Sequence, residues 1–288
     1  MSELISQPRI AFQGERGAFS EEAAVALLGE GIKLVPRPSF EALFSAVSEG
    51  IADHALAPLE NSLVGSIGRA YDLLVESGLQ IEAEVVIPIA HQLIGCRGAA
   101  VESIKVVESH PVALSQCERF FAAHPHIVRV AADDTAASVR RVIERRDLRH
   151  AAIAGMRAAR TYEGTILAEH LEDDPENYTR FALLTAAASP HASERADKLT
   201  LAIRLSHQPG ALHRALDPFA RRGIDLLKIE SRPVKGHPWE YRIYLDLQAS
   251  TNDGGTKDAL GELRERATEV RLLGCYPSAR NAHRELEA

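Results

Sequence analysis

The chain has 288 residues, 45% hydrophobic and 25% charged, a composition that belongs to globular proteins and excludes disordered or fibrous ones. This length suits two domains of usual size, each able to bury its own core. With 33 Lys and Arg against 40 Asp and Glu the net charge is -7, so no basic stripe exists to track a phosphate backbone, and nucleic acid is not an expected partner.

Cys96, Cys117 and Cys275 are odd in number and far apart, which fits neither a disulfide framework nor a zinc knuckle. They read as reduced core thiols, and no metal or cofactor is expected. The opening MSELISQPRIAF lacks a basic segment followed by an apolar one, and no stretch approaches the ~20 apolar residues of a membrane span. A cytoplasmic protein with no membrane partner is expected.

From Arg9 to about Thr185 short apolar runs alternate with amphipathic segments, the pattern of strands crossed over by helices. The run 10-IAF-12 reads as a buried strand, GERGAF as a loop, and Ser20 with Glu21 and Glu22 as the cap and acidic first turn of a helix. A strand at 32–35 follows. Ser39 caps the next helix, in which Phe40, Leu43, Phe44 and Val47 share one face. The strand 55-ALAPL-59 delivers 60-ENS-62, and 65-GSIGRAYDLL-74 reads as a helix. Further pairs are 105-KVVES-109 with a helix from Pro111, 128-VRV-130 with a helix from Thr135, and 151-AAIA-154 with MRAAR. Such a chain makes α/β layers.

The segment 186-AAASPHASERAD-197 has no apolar period and reads as a linker. Beyond it, strands around 199–205, 224–231, 241–247 and 269–276 alternate with helices near 212–219 and 256–267. That order, βαββαβ, belongs to a ferredoxin-like domain.

In open α/β sheets, ligands bind beyond the carboxyl ends of strands, where helix N-termini offer N–H groups to anions. Four polar clusters stand at such places: 60-ENS-62, 109-SH-110, 133-DDT-135 and 177-NYTRF-181. Each has a plain structural alternative. Ser109 and Thr135 suit helix caps, Asn61 and Ser62 suit turns, and His110 beside Pro111 suits a capping or packed side chain. The Gly14 to Gly17 loop lacks the second glycine of a dinucleotide fingerprint, and no G-x-S-x-G elbow occurs. Residue chemistry alone leads to a cleft for a small polyanion.

Together, 58-PLENSLVGSIGRAYDLL-74, 108-ESHPVALSQCERF-120 and 177-NYTRF-181 resemble the signature blocks of prephenate dehydratase, in their usual order and roughly their usual spacing. The segments 210-GALHRAL-216 and 230-ESRP-233 resemble the effector motifs of the ACT domain that follows the catalytic region in that family. The likeness runs from about Arg9 to Tyr276. It implies a catalytic domain over 8–187, two-lobed like type II periplasmic binding proteins, with lobes of 8–80 plus 178–187 and of 81–177. A ferredoxin-like ACT domain would occupy 198–277. No chorismate mutase helices precede residue 9, so a monofunctional enzyme is expected. Departures from the family pattern are Gly155, where a serine is common, and 161-TYEG-164.

The reaction so implied expels CO2 and water from prephenate to give phenylpyruvate. Aromatisation drives it, so the protein has to position a dianion and help hydroxide leave. Thr179 would hydrogen-bond the leaving hydroxyl, Arg180 would hold a carboxylate by a bidentate pair, and His110 is the titratable neighbour for proton relay. Asn61, Ser62, Ser109, Thr135 and Asn177 would complete the anion sites, with Phe181 and Tyr178 as part of an apolar wall. Phenylalanine would act as feedback inhibitor, its carboxylate at Gly210, Ala211 and Leu212 and its ammonium near Glu230, Ser231, Arg232 and Pro233. Effector sites between paired ACT domains imply a homodimer or homotetramer. Arogenate as substrate and a non-catalytic sensor of small anions and amino acids are the alternatives.

Overall fold

The computed structural model describes residues 7–186, 195–234, 236 and 239–279. Most of the expected linker, residues 187–194, lies outside the described residues, as do residues 1–6 of the N-terminal reading. Among the described residues no helix is long and apolar enough to cross a membrane. The chain forms two compact units. The first joins the described residues up to Ile67 with Val86–Phe181, and the second joins Gly68–Val85 with those from Ala182 onward.

The first unit opens with β1 (Arg9–Gln13), α1 (Phe19–Leu28), β2 (Lys33–Arg37), α2 (Phe40–Ser48) and β3 (His54–Asn61). β1 lies between β2 and β3, parallel to both, and its Ile10, Ala11 and Phe12 are fully buried. Ser39 caps α2 as expected, accepting the Ala42 N–H at 3.2 Å. The start of α1 differs from the reading. Ser20 lies inside the helix, and Ala18 occupies the cap position without a side-chain bond. The residue that ties down this turn is Glu21, which accepts the Gly17 N–H at 2.9 Å and the Arg16 and Arg157 guanidiniums. Burial pushes the Glu21 carboxyl up, but these donors together hold it below its usual range. Gly17 stands at φ 86, and a Cβ there would meet the Ala158 Cα at 2.8 Å.

β4 (Gly65–Ser66) pairs with the end of β3, and α3 (Gly68–Ser77) comes after it. The helix read from residue 65 therefore starts three residues late, because the backbone groups of Gly65 and Ser66 are engaged with Asn61 and Glu60. The chain continues through β5 (Gln80–Pro88) to β6 (Gln92–Gly95), a 3₁₀ turn at Val101–Ser103, and β7 (Val106–Ser109). Then come α4 (Pro111–Ser115), α5 (Glu118–Ala123), β8 (Val128–Ala131), α6 (Thr135–Arg145), β9 (His150–Ala154), α7 (Met156–Thr161) and β10 (Thr165–Ala168). β11 (Tyr178–Thr185) brings the chain back beside β3. The first unit thus holds two sheets, one ordered β11-β3-β1-β2 and the other β10-β6-β9-β7-β8. Each has its own lobe, and the second buries Ile94, Val139 and Ala152 on one face and Leu93, Val107 and Ile153 on the other.

In the second unit β12 (Lys198–Arg204), α8 (Ala211–Ala220), β13 (Leu226–Pro233), β14 (Tyr241–Leu247), α9 (Gly254–Arg266) and β15 (Glu269–Tyr276) follow the βαββαβ order read from the sequence. The sheet is ordered β13-β14-β12-β15, with antiparallel neighbours. Strand alternation sends Leu201 and Leu245 toward Phe219 of α8 and Leu260 of α9. The other face receives α3. Tyr71 packs on Tyr244 with ring centres 4.9 Å apart, Arg232 holds Asp72 through two bonds of 3.1 and 3.2 Å, and Arg271 donates to the Val75 carbonyl. Beside β15, Ile81 of β5 pairs in parallel with Gly274, where a Cβ would strike the Ile81 carbonyl oxygen at 2.5 Å. Below them Lys198 is buried against Glu84 at 2.9 Å and Asp246 at 3.5 Å.

Candidate active site

The first unit encloses a cavity of about 400 Å³. Four helices open on it: α1 through Ala18, Phe19 and Ser20, α2 through Phe40, α4 through His110 and Val112, and α6 through Asp134 and Thr135. The ends of β3 and β11 complete it with Asn61, Thr179 and Phe181.

Along β11 the side chains alternate, so Thr179 and Phe181 face the cavity together and Arg180 between them faces away. Arg180 is not on the wall. It is 8% exposed and pairs with Glu60 at 3.6 Å. The expected bidentate clamp on a substrate carboxylate is therefore absent from this arrangement, and no other Lys or Arg lines the cavity among the described residues.

Asn61 organises the polar end. Its Oδ1 accepts the N–H groups of Leu63 and Val64, each at 3.1 Å. Its Nδ2 donates to Asn177 Oδ1 at 2.7 Å, to the Tyr178 carbonyl at 3.0 Å and to Thr179 Oγ1 at 3.0 Å. Since Thr179 Oγ1 accepts from Asn61, its own proton stays available to the cavity. Asn177, 1% exposed, passes the pattern on by donating to Gln116 Oε1 at 3.1 Å. Ser62 does not reach the wall. Its hydroxyl donates to the Glu176 carbonyl at 2.7 Å and accepts the Tyr178 N–H, fastening the two segments together. Tyr178 is half-exposed and off the wall.

Ser109 is fully buried, and its hydroxyl donates to the Ile153 carbonyl at 2.5 Å, so it braces β7 against β9 and does not line the cavity. His110 lines the cavity and is also the cap of α4, its Nδ1 accepting the Val112 N–H at 3.2 Å. That bond leaves Nε2 as the protonated nitrogen of the neutral ring. Thr135 is on the wall, but the cap of α6 is Asp134, which accepts the Ala137 N–H at 2.7 Å. Burial pushes the Asp134 carboxyl up.

The sequence reading missed His91, Gln116 and Phe19, all on the wall, where Asp133 of the quoted cluster 133–135 also stands. Gln116 stood inside the quoted block 108–120 with nothing to single it out, and His91 belongs to no cluster. Gly155, one of the departures from the family pattern, has a steric cause here: a Cβ would meet the Phe19 ring at 2.9 Å.

The second unit has a cavity of about 810 Å³ lined by Ala211, Leu212 and Ser231 from the expected effector motifs and by Trp239 and Tyr241. Gly210 caps α8 at φ 74 just outside it. Glu230, Arg232 and Pro233 do not line it. Alternation along β13 turns Glu230 and Arg232 to the opposite face from Ser231, where Glu230 meets Lys228 at 3.4 Å and Arg232 meets Asp72. Among the described residues no cluster of His, Cys, Asp or Glu suits a metal. Cys96 and Cys117 are buried free thiols, with Cys117 pushed up to about 12 by burial, and Cys275 is half-buried.

The family profile for prephenate dehydratase matches residues 10–189, and that for the ACT domain matches residues 200–265. The chain is 41% identical to arogenate dehydratase/prephenate dehydratase 1, chloroplastic, of Arabidopsis thaliana, over 94% of this chain and 72% of that one. It is 37% identical to the bifunctional chorismate mutase/prephenate dehydratase of Neisseria gonorrhoeae, over 97% of this chain and 78% of that one. Among solved structures, it superposes with a TM-score of 0.85 and 30% identity on the prephenate dehydratase of Arthrobacter aurescens in complex with L-Phe, covering 97% of this chain and 98% of the other. A structure described as a novel type of quorum-quenching acylase matches with a TM-score of 0.86 and 30% identity, over 95% and 99% of the two chains.

Proposed function

The chain belongs to the prephenate dehydratase family, whose members are lyases, with a C-terminal ACT domain, and from that premise we propose that it converts prephenate to phenylpyruvate, CO2 and water. The observation that carries the reading is the bond from Asn61 Nδ2 to Thr179 Oγ1 at 3.0 Å. It makes the threonine an acceptor toward the protein and a donor toward the cavity, the polarity that a departing hydroxide needs.

In the proposed step the C–C bond to the ring carboxylate breaks and its electron pair enters the ring. The C–O bond at the opposite ring carbon breaks, and the hydroxide takes up a proton to leave as water. Thr179 donates to that oxygen. A threonine hydroxyl is a weak acid, so its proton must be replaced from solvent water, and the Nε2–H of His110 on the same wall is placed to hydrogen-bond that water or the departing oxygen. Phe181, Phe40 and Ile89 keep the ring carboxylate dry, which favours dispersal of its charge.

With Arg180 turned away, N–H and O–H donors hold the side-chain carboxylate. Of the four helices that open on the cavity, α2 is capped by Ser39, α4 by His110 and α6 by Asp134, whereas α1 has no side-chain cap. Its first turn, with the Ser20 hydroxyl, is the proposed carboxylate site.

A second reading, arogenate as substrate, is favoured by the two acids on the wall, Asp133 and Asp134, which suit an ammonium better than a keto oxygen. Phenylalanine is proposed as the effector in the 810 Å³ cavity beside Ala211, Leu212 and Ser231, in a homodimer or homotetramer of paired ACT domains. The similar structure determined with L-Phe supports this.

The test is product formation from prephenate and, separately, from arogenate, with and without phenylalanine. Phenylpyruvate from prephenate that falls with phenylalanine is the expected result. Phenylalanine made preferentially from arogenate moves the substrate assignment, and no turnover of either ends the reading.

A further inference from the structure

His91 sits between β5 and β6 on the cavity wall, 2% exposed, and the reaction as set out above makes no use of it. Its backbone N–H donates to Glu172 at 2.7 Å, and its ring meets Phe19 edge-on at 5.8 Å. Ring Nε2 lies 2.9 Å from Gln116 Oε1. The hydrogen-bond chain itself establishes which of these atoms carries the proton.

The N–H groups of Leu63 and Val64 can only donate, so the Asn61 atom that receives them is its oxygen. The other end of Asn61 is then the amide nitrogen, and it donates to Asn177 Oδ1 and Thr179 Oγ1. This makes the far end of Asn177 a nitrogen, which donates to Gln116 Oε1. Gln116 Oε1 is thereby an acceptor, and His91 Nε2 beside it must bear a hydrogen. Burial of the ring lowers its pKa, so the ring is neutral and Nδ1 holds a lone pair. Two buried atoms end the chain without a partner in the protein, Gln116 Nε2 and His91 Nδ1.

The geometry assigns His91, as the Nε2–H tautomer, the part of a positioning residue that anchors the chain His91, Gln116, Asn177, Asn61 and Thr179. By giving Gln116 Oε1 a second donor, it prevents the amide from turning over. The donor that the chain leaves for the substrate is then the Thr179 hydroxyl on the cavity wall, while Gln116 Nε2 stays buried behind it. Without His91, Gln116 is held at Oε1 by Asn177 alone, its amide rotates more freely, and the slack passes through Asn177 and Asn61 to the Thr179 hydroxyl. This inference rests on the proposal that Thr179 serves the departing oxygen.

The experiment compares the full chain with His91→Leu, His91→Gln, Gln116→Leu and the double variant His91→Leu/Gln116→Leu, using whichever of prephenate and arogenate the wild type turns over. His91→Leu should keep KM within about twofold and lose about tenfold in kcat, the rate equivalent of one hydrogen bond. His91→Gln, whose amide N–H can reach Gln116 Oε1, should recover most of that loss. The double variant should be no slower than Gln116→Leu, since both remove one and the same contact. Ring nitrogen NMR on the wild type should find His91 neutral at pH 7 with the proton on Nε2. A wild-type kcat in His91→Leu, additive losses in the double variant, or an Nδ1–H or charged ring at pH 7 would each overturn the assignment. Should His91→Leu fail to fold, His91→Gln and the ring spectrum decide. If the wild type turns over neither substrate, the functional reading falls, while the ring spectrum still tests the polarity of the chain.

Discussion

Replacing Asn61 by aspartate keeps the shape of the side chain and reverses one end of it. The carboxylate oxygen that stays in place of Oδ1 still accepts from Leu63 and Val64. The other oxygen now stands where Nδ2 was, 2.7 Å from Asn177 Oδ1, 3.0 Å from the Tyr178 carbonyl and 3.0 Å from Thr179 Oγ1. Asn177 can relieve its contact only by turning its own oxygen onto Gln116 Oε1, and the Tyr178 carbonyl cannot turn at all. We expect a stability loss of about 1–3 kcal/mol from these opposed acceptors. Thr179 relieves its contact by donating its proton to the carboxylate, and so withdraws it from the substrate. Loss of one positioned donor corresponds to about 100- to 1000-fold in kcat. Asn61→Ala removes the bond to Thr179 but leaves the hydroxyl proton free, so it should be the milder variant in kcat. The assay is steady-state turnover of prephenate and arogenate beside a thermal melt. An Asn61→Asp enzyme within threefold of wild-type kcat, or an alanine variant slower than the aspartate one, would refute the donor role of Thr179.

Arg180→Lys should keep most of kcat, because the guanidinium partners Glu60 away from the cavity; a loss as deep as that of Thr179→Ala would return Arg180 to the substrate. Gly17→Ala combines a Cβ at positive φ with a 2.8 Å approach to Ala158 and should cost roughly 2–4 kcal/mol, read as a lowered thermal midpoint; an unchanged melt would contradict the packing described. Leu212→Asp should raise the phenylalanine concentration needed for half inhibition and leave uninhibited kcat alone, and unaltered inhibition would move the effector elsewhere. The folded pKa of His91 lies below the ordinary value of about 6.5, held down by burial. Below that pH the unfolded chain takes up a proton that the folded ring refuses, so this part of the stability is present above about 6.5 and is lost as acid is added. His91→Gln should flatten the acid side of a plot of thermal midpoint against pH, and an identical slope would count against a buried neutral ring.

Much of the fold was readable because it rests on neighbours in sequence. The alternation of Leu199, Leu201 and Ile203, the face shared by Leu43, Phe44 and Val47, and the cap at Ser39 all act over a few residues, and each is found as read. Ser20 looked like a cap, but Glu21 reaches back to Gly17 from within the helix, using a bond whose value depends on Arg157 over a hundred residues away. The helix from residue 65 looked continuous, but β4 claims its first two residues for pairing with β3. In both places a contact made by the folded chain outcompeted a local preference.

The site divides in the same way. Blocks of residues identified the family, and Asn61, Thr179, Phe181, His110 and Thr135 do meet at one cavity. The strand 178–185 had to alternate, yet nothing local says whether Thr179 or Arg180 turns inward; that depends on which side of β11 the helices of the first unit cover. Likewise Ser231 and Arg232 part company across β13, and α3 packs with the second unit although residues 61–67 before it serve the first. The chain from His91 through Gln116, Asn177 and Asn61 joins residues 25, 61 and 116 positions apart. Hydrogen bonds act over about 3 Å and propensities over a few residues. Element order can therefore be read along the chain, whereas the polarity of a site exists only once distant segments have been packed to within that distance.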